Sequence, residues 1–146
     1  MIGYYRFPTI NNKQVVFVSE DDLWSVNLDD PRVVRLTTNI SQVSTPLLSP
    51  DGKSIAYVGR EDGNTEVYIM PSDGGISKRL TFDGFFISRI VAWDGNNKIL
   101  YASDAKKPFS RISDLRSITI KGGESKALDY GICSNISFSK KMWNGI

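Results

Sequence analysis

The sequence predicts an all-β protein of short antiparallel strands, and three observations predict it. Runs rich in Val, Ile, Tyr and Phe are short and end in polar residues, the habit of strands rather than helices. The intervening segments carry turn chemistry: Ser49-Pro50-Asp51-Gly52, Asp62-Gly63, Asp73-Gly74-Gly75 and Asp94-Gly95. Pro presets φ, Asp bonds its own backbone and Gly accepts a positive φ. The third observation is a recurrence. Arg35-Leu36-Thr37 returns as Arg79-Leu80-Thr81, and the matching leucine returns at Leu128, with 44 residues from Leu36 to Leu80 and 48 from Leu80 to Leu128.

A recurrence of ~40–50 residues holding four short strands is the signature of a β-propeller blade. The expected fold is therefore a partial β-propeller, about three four-stranded antiparallel blades and the start of a fourth. The blades fall roughly at residues 4–37, 43–81 and 87–128, with the fourth opening over 131–146, all in one incomplete N-terminal propeller domain spanning 1–146.

In the first unit, residues 4–9 (YYRFPT) and 15–19 (VVFVS) read as strands joined at Asn11-Asn12-Lys13. Glu20-Asp21-Asp22 reads as a hairpin loop, 23–28 (LWSVNL) as the return strand, Asp29-Asp30-Pro31 as a turn and 32–37 (RVVRLT) as the closing strand. The second unit opens on a strand over 43–48, in which Pro46 marks an edge or a bulge. It continues with 53–58 (KSIAYV), the Asp-Gly hairpin of 60–64, then 65–70 (TEVYIM) and 77–81 (SKRLT). The third has strands over 87–93, 98–103, 115–120 and 124–128, with a long loop over 104–114 that lengthens its period. Residues 131–139 (GICSNISFS) read as the first strand of a fourth unit.

Three blades leave two sheet faces without a neighbour. Ile55, Tyr57, Val67, Ile69, Ile99 and Tyr101 are then expected to be poorly covered, and uncovered apolar surface drives association. The chain is expected to open a longer propeller, the alternatives being self-association or a truncated product.

Composition narrows the chemistry. The 146 residues are 40% hydrophobic and 23% charged, an ordinary globular balance, and a net charge of +2 argues for neither nucleic acid nor an anionic membrane. No run approaches the ~18–20 apolar residues of a membrane span, and the N-terminus lacks the charged-then-apolar order of a secretory signal, so a cytoplasmic setting is expected. One cysteine, Cys133, cannot form an internal disulfide and is expected to be a small buried residue in a strand. With no histidine, the chain cannot hold a Ser-His-Asp or Cys-His group, nor a His-based zinc site. No catalytic, cofactor-binding or metal residue is assigned.

Several sharper patterns have plainer readings. Ser137-Phe138-Ser139-Lys140 matches Ser-x-x-Lys, but that chemistry needs both groups on one helical face and Ser137 is expected in a strand. Glu20-Asp21-Asp22 and Glu61-Asp62 lack the calcium-loop pattern and read as hairpin carboxylates. Lys78-Arg79, Lys106-Lys107 and Lys140-Lys141 are isolated pairs among acids, the mark of a solvated face. Trp24, Trp93 and Tyr68 read as blade packing. Asn39-Ile40-Ser41 and Asn135-Ile136-Ser137 are glycosylation sequons that, without secretion, read as chance.

The series Phe7-Pro8-Thr9-Ile10, VFVSEDDLW, Arg-Leu-Thr, Ser49-Pro50-Asp51-Gly52-Lys53, GNTEVY and Arg-Leu-Thr, at these spacings over residues 3–81, resembles the N-terminus of the tricorn protease family. The likeness continues more loosely over 82–139 and stops at Lys140. It implies a cytosolic, hexameric serine peptidase that trims peptides released by the proteasome. In that family a six-bladed propeller comes first, thought to be a channel for peptides, then a seven-bladed one, then the region carrying the catalytic serine, histidine and glutamate. None of those positions lies in this chain, so no activity is expected from it alone. The partners implied are peptides in the channel and the remainder of the peptidase, or further copies of the chain. A TolB-like propeller that binds protein partners is the alternative, as is a non-functional gene product.

Overall fold

A computed structural model describes residues 4–38, 41–61, 63–106 and 112–137. Its described residues form twelve strands and no helix, arranged as three four-stranded antiparallel sheets. The first sheet takes β1 (Arg6–Asn11), β2 (Gln14–Ser19), β3 (Asp22–Asn27) and β4 (Asp30–Arg35) in sequence order. The second takes β5 (Val43–Leu48), β6 (Ser54–Gly59), β7 (Glu66–Pro71) and the two-residue β8 (Lys78–Arg79). The third takes β9 (Ile87–Asp94), β10 (Lys98–Ser103), β11 (Asp114–Thr119) and β12 (Lys126–Ile132). This is the all-β, partial-propeller architecture that the sequence predicts.

The sheets stack face to face, and strand alternation decides which side chain enters which interface. Val16, Val18 and Leu23 of the first sheet pack against Leu48, Ile55, Tyr57, Tyr68 and Met70 of the second. The other face of the second sheet, with Ala56, Val58, Val67 and Leu80, packs against Ile87, Ile90, Trp93, Ile99, Tyr101 and Ile118. Period 2 thus sends Ile55 and Tyr57 one way and Ala56 and Val58 the other, so β6 is buried on both faces. Each such aliphatic side chain contributes about 1.5–3 kcal/mol relative to exposure.

That stacking corrects one expectation. Ile55, Val67, Ile99 and Tyr101 are 0% exposed and Tyr57 is 2% exposed, while Ile69 is half-buried. They line the two interfaces between sheets rather than an open face. The exposed apolar side chains include Tyr5, Ile10 and Val33, which belong to the first sheet and the segment leading into it.

The turn residues behave as their chemistry dictates, with local shifts. Gly52 of the Ser-Pro-Asp-Gly turn has φ +72°, and its N–H donates to the Ser49 carbonyl at 2.9 Å. The turn read at Asp29-Asp30-Pro31 sits one residue earlier, and Pro31 lies inside β4. As the outermost strand, β4 can accept a residue with no N–H to give. Pro46 sits where the β5–β6 register shifts between Ser44 and Leu47, and Thr45 before it has φ +46°. Phe7 before Pro8 repeats this, with φ +52° at the β1–β2 shift. Gly131 and Ile132, read as the start of a fourth unit, end β12 instead, and residues from Phe138 onward lie outside the described ones. Cys133 is half-buried just past β12, not within a strand, because β12 ends at Ile132.

Candidate functional site

The first strands of the three sheets converge. Contacts join β1 to β5 and β5 to β9, so these strands form an inner rim and β4, β8 and β12 lie outermost. An inner strand is a sheet edge, and an edge leaves backbone groups to be satisfied elsewhere. Threonines at the bulges meet this need across the seams. The Ile90 N–H donates to Thr45 Oγ1 at 3.0 Å, and the Leu48 N–H to Thr9 Oγ1 at 3.4 Å. Trp93 Nε1 donates to the Leu47 carbonyl at 3.1 Å. Turn asparagines do the same at the rim's end: Asn11 Nδ2 donates to the carbonyls of Ser49 (2.7 Å) and Pro50 (3.0 Å), and Asn96 Oδ1 accepts from the Asp51 N–H at 3.1 Å.

Each end of the rim is a depression. One, of about 260 Å³, is lined by Arg6, Phe7, Asp21, Arg60 and Phe86 among others. There Arg6 meets Asp21 at 2.9 Å, and Arg60 Nε donates to the Gly63 carbonyl at 2.9 Å. The other is a more open groove of about 480 Å³ bordered by Ile10, Asn11, Leu47, Pro50, Trp93 and Ile136. Ser49, which also borders this groove, donates its hydroxyl to Asp51 Oδ1 at 2.6 Å within the Ser-Pro-Asp-Gly turn.

The recurring Arg-Leu-Thr has a physical account that sequence reasoning missed. Asp22, read as a loop residue, opens β3 and is 1% exposed. Its carboxylate accepts from the Arg35 guanidinium and, at 2.7 Å, from the Thr37 hydroxyl, while Thr37 Oγ1 accepts the Leu23 N–H at 2.9 Å. Glu66, also 1% exposed, repeats the arrangement with Arg79 at 2.9 Å and the Thr81 hydroxyl, and the Val67 N–H donates to Thr81 Oγ1 at 2.9 Å. The leucine between them points into the packing of the neighbouring sheet. The available signal was spacing: acid and threonine are 15 residues apart in both sheets. The third sheet departs from it. There Arg116 lies within β11 and bonds Ser125 Oγ at 3.0 Å, which donates to Asp83 at 2.9 Å.

The other singled-out residues scatter. Asp21 pairs with Arg6, Lys78 donates to the Lys121 carbonyl at 2.8 Å, and Arg79 lies over the Phe82 ring. Trp93 and Tyr68 are buried, and Tyr68 stacks on Tyr57 at 5.5 Å between centroids. Trp24 is half-buried on the outward face of the first sheet. Ser137 lies outside any strand and is exposed, where a strand was expected, while Lys140, like Asn39, Ile40, Asp62, Lys107 and Lys141, lies outside the described residues. Burial pushes the Tyr57 phenol up to about 12, partly opposed by its 2.7 Å bond to Ser77 Oγ.

Comparison with known proteins gives a consistent result. The model of the tricorn protease N-terminal beta propeller domain matches residues 2–144. A tricorn-like protease N-terminal subunit of Sulfurisphaera tokodaii is 34% identical over 143 residues, covering 95% of this chain and 72% of that protein. The crystal structure of the tricorn protease superposes with a TM-score of 0.83 at 23% identity, over 96% of this chain and 15% of that one. A TolB structure from Agrobacterium tumefaciens superposes at 0.70 with 21% identity over 88% of this chain and 47% of its own, a likeness of fold.

Proposed function

Because the chain belongs to the family of tricorn protease N-terminal beta propeller domains, we propose that it supplies blades to the first propeller of a tricorn-like serine peptidase. In this reading the enzyme is cytoplasmic and degrades peptides released by the proteasome. The propeller forms a channel that admits or releases those peptides, with no catalytic group of its own. The observation that carries the reading is the inner rim of β1, β5 and β9 within a family-matched propeller. A channel wall must be stiff and must not pair with an extended peptide as another strand would. The rim meets both needs. Its threonine and asparagine bonds tie the sheets together, and the bulges at Phe7 and Thr45 break the flat edge that strand addition requires.

The chain spans 15% of the superposed tricorn protease, so the hydrolytic residues of this reading lie in further polypeptide, whether continuous with the chain or a separate subunit. The test is direct. An antibody against residues 45–81 should pull from native cells an assembly that cleaves unstructured peptides, while the purified 146-residue chain cleaves none. Hydrolysis by the isolated chain, or a native assembly with no peptidase activity, overturns the reading.

A further inference from the structure

Two phenylalanines line the depression at the end of the rim where Arg6 pairs with Asp21. Phe7 comes from the first sheet and Phe86 from the residue just before the third, while Val43 and Ser44 of the second sheet share the wall. All three sheets of the chain thus bound the depression. Neither ring serves the fold's packing: they are 43% and 49% exposed and belong to neither apolar cluster. Backbone geometry puts them there. The Phe86 N–H donates to Asp104 Oδ1 at 2.9 Å, and the Asp104 N–H donates to the Phe86 carbonyl at 3.1 Å. Phe7 stands at the β1 bulge with φ +52°, the place that Thr45 holds at the β5 bulge with φ +46°. Thr45 has a structural task there, accepting the Ile90 N–H. Phe7 presents a ring instead, and bulges re-aim side chains beside functional sites.

We infer that this depression holds an aromatic side chain of an extended peptide, an inference that rests on the channel reading and adds a preference to it. Size favours a single side chain, since pockets for whole small molecules run to ~300–1,000 Å³ and this one is about 260 Å³. Chemistry favours a ring. Phe7 and Phe86 can meet a third ring edge-on or offset. Arg60, also on the wall, is held by the 2.9 Å bond from its Nε to the Gly63 carbonyl. Arginines of this molecule repeatedly cover rings: Arg6 lies over Tyr4, Arg35 over Trp24 and Arg79 over Phe82, at 5.8, 5.7 and 4.5 Å. Among the described residues Arg60 covers none, which leaves its guanidinium for an incoming ring. Asp21 answers the charge of Arg6, so Arg60 gives the wall one positive charge in excess, complementary to the electron-rich face of a ring. The two phenyl groups beside it offer a carboxylate no hydrogen bond.

The test uses the native assembly and a heptapeptide blocked at both ends, Gly-Ser-Gly-Xaa-Gly-Ser-Gly, with the photo-crosslinker p-benzoyl-phenylalanine as Xaa. Crosslinks should fall on the segments that hold Phe7 and Phe86. The same peptide with Phe as Xaa should compete several-fold better than its Ala and Glu counterparts. Arg60→Gln should weaken competition by the Phe peptide ~2–5-fold, the size of an exposed cation–ring contact, and Phe86→Ser should weaken it further. Both residues are exposed, so circular dichroism should stay unchanged in the variants. Equal competition by the three peptides, stronger competition by the Glu peptide, or crosslinks on other segments overturn the inference, even where the assembly hydrolyses peptides. Selective capture by an assembly that hydrolyses none supports the aromatic site and overturns the channel reading alone.

Discussion

Two threonines carry more than their size suggests. Thr81 both donates to the buried Glu66 carboxylate and accepts from the Val67 N–H, so Thr81→Val removes one bond to a carboxylate that Arg79 still pairs and leaves the Val67 N–H without this acceptor. A loss of about 2–3 kcal/mol is expected, read as a lower urea midpoint at unchanged slope. Thr37→Val should cost less, since the arginine of its pair is 40% exposed against 21% for Arg79. Tyr57 gives a pH signature. Its folded pKa of about 12 lies above the ordinary value of 10, so its contribution is present in full below pH 10 and is lost as pH rises towards 12. Over that window stability should fall by about 2–3 kcal/mol, and Tyr57→Phe should abolish this part of the slope at a neutral-pH cost of about 1 kcal/mol. These residues also show where sequence reading stops. Asp22 adjoins a real turn at Glu20 and Asp21, and its burial follows from Arg35 and Thr37 folding back over it, a contact that adjacency in sequence does not display.

At the scale of the element, strand pairing was the legible part. Alternating residues and Pro-Asp-Gly turns are local properties, and β6 pairs with β7, and β10 with β11, in continuous register as such patterns dictate. Strand ends were less legible, because the edge strands β4, β8 and β12 have little packing to define them. The coverage of β6 was misjudged for a related reason: alternation shows that a strand has two faces, not what lies against each. Gly59 at its end shows how close that packing is. A Cβ there would sit 2.9 Å from Cδ2 of Tyr68, whose ring is held against Tyr57. Gly59→Ala should therefore cost about 1–3 kcal/mol, seen as a lower melting temperature, with altered near-ultraviolet circular dichroism from the displaced tyrosine pair.

In the whole molecule, partial-propeller architecture was readable from a 44-residue recurrence, whereas the inner rim was not, because strand order alone does not say which edge turns inward. Within each sheet every strand pairs with its neighbour in sequence, so closing a pairing orders only the connection between them, the longer one from β10 to β11 included. Such local topology favours rapid formation of each sheet in turn. Time then gives the outward face of the first sheet a second meaning. During synthesis the first sheet leaves the ribosome before the others, and the second covers its inward side as soon as it follows. On its outward side, Tyr5 from the segment leading into β1 lies edge-on to Phe17 at 5.1 Å between centroids, a cover made before the sheet itself. Among the described residues the first sheet thus takes cover on one side from earlier chain and on the other from later chain.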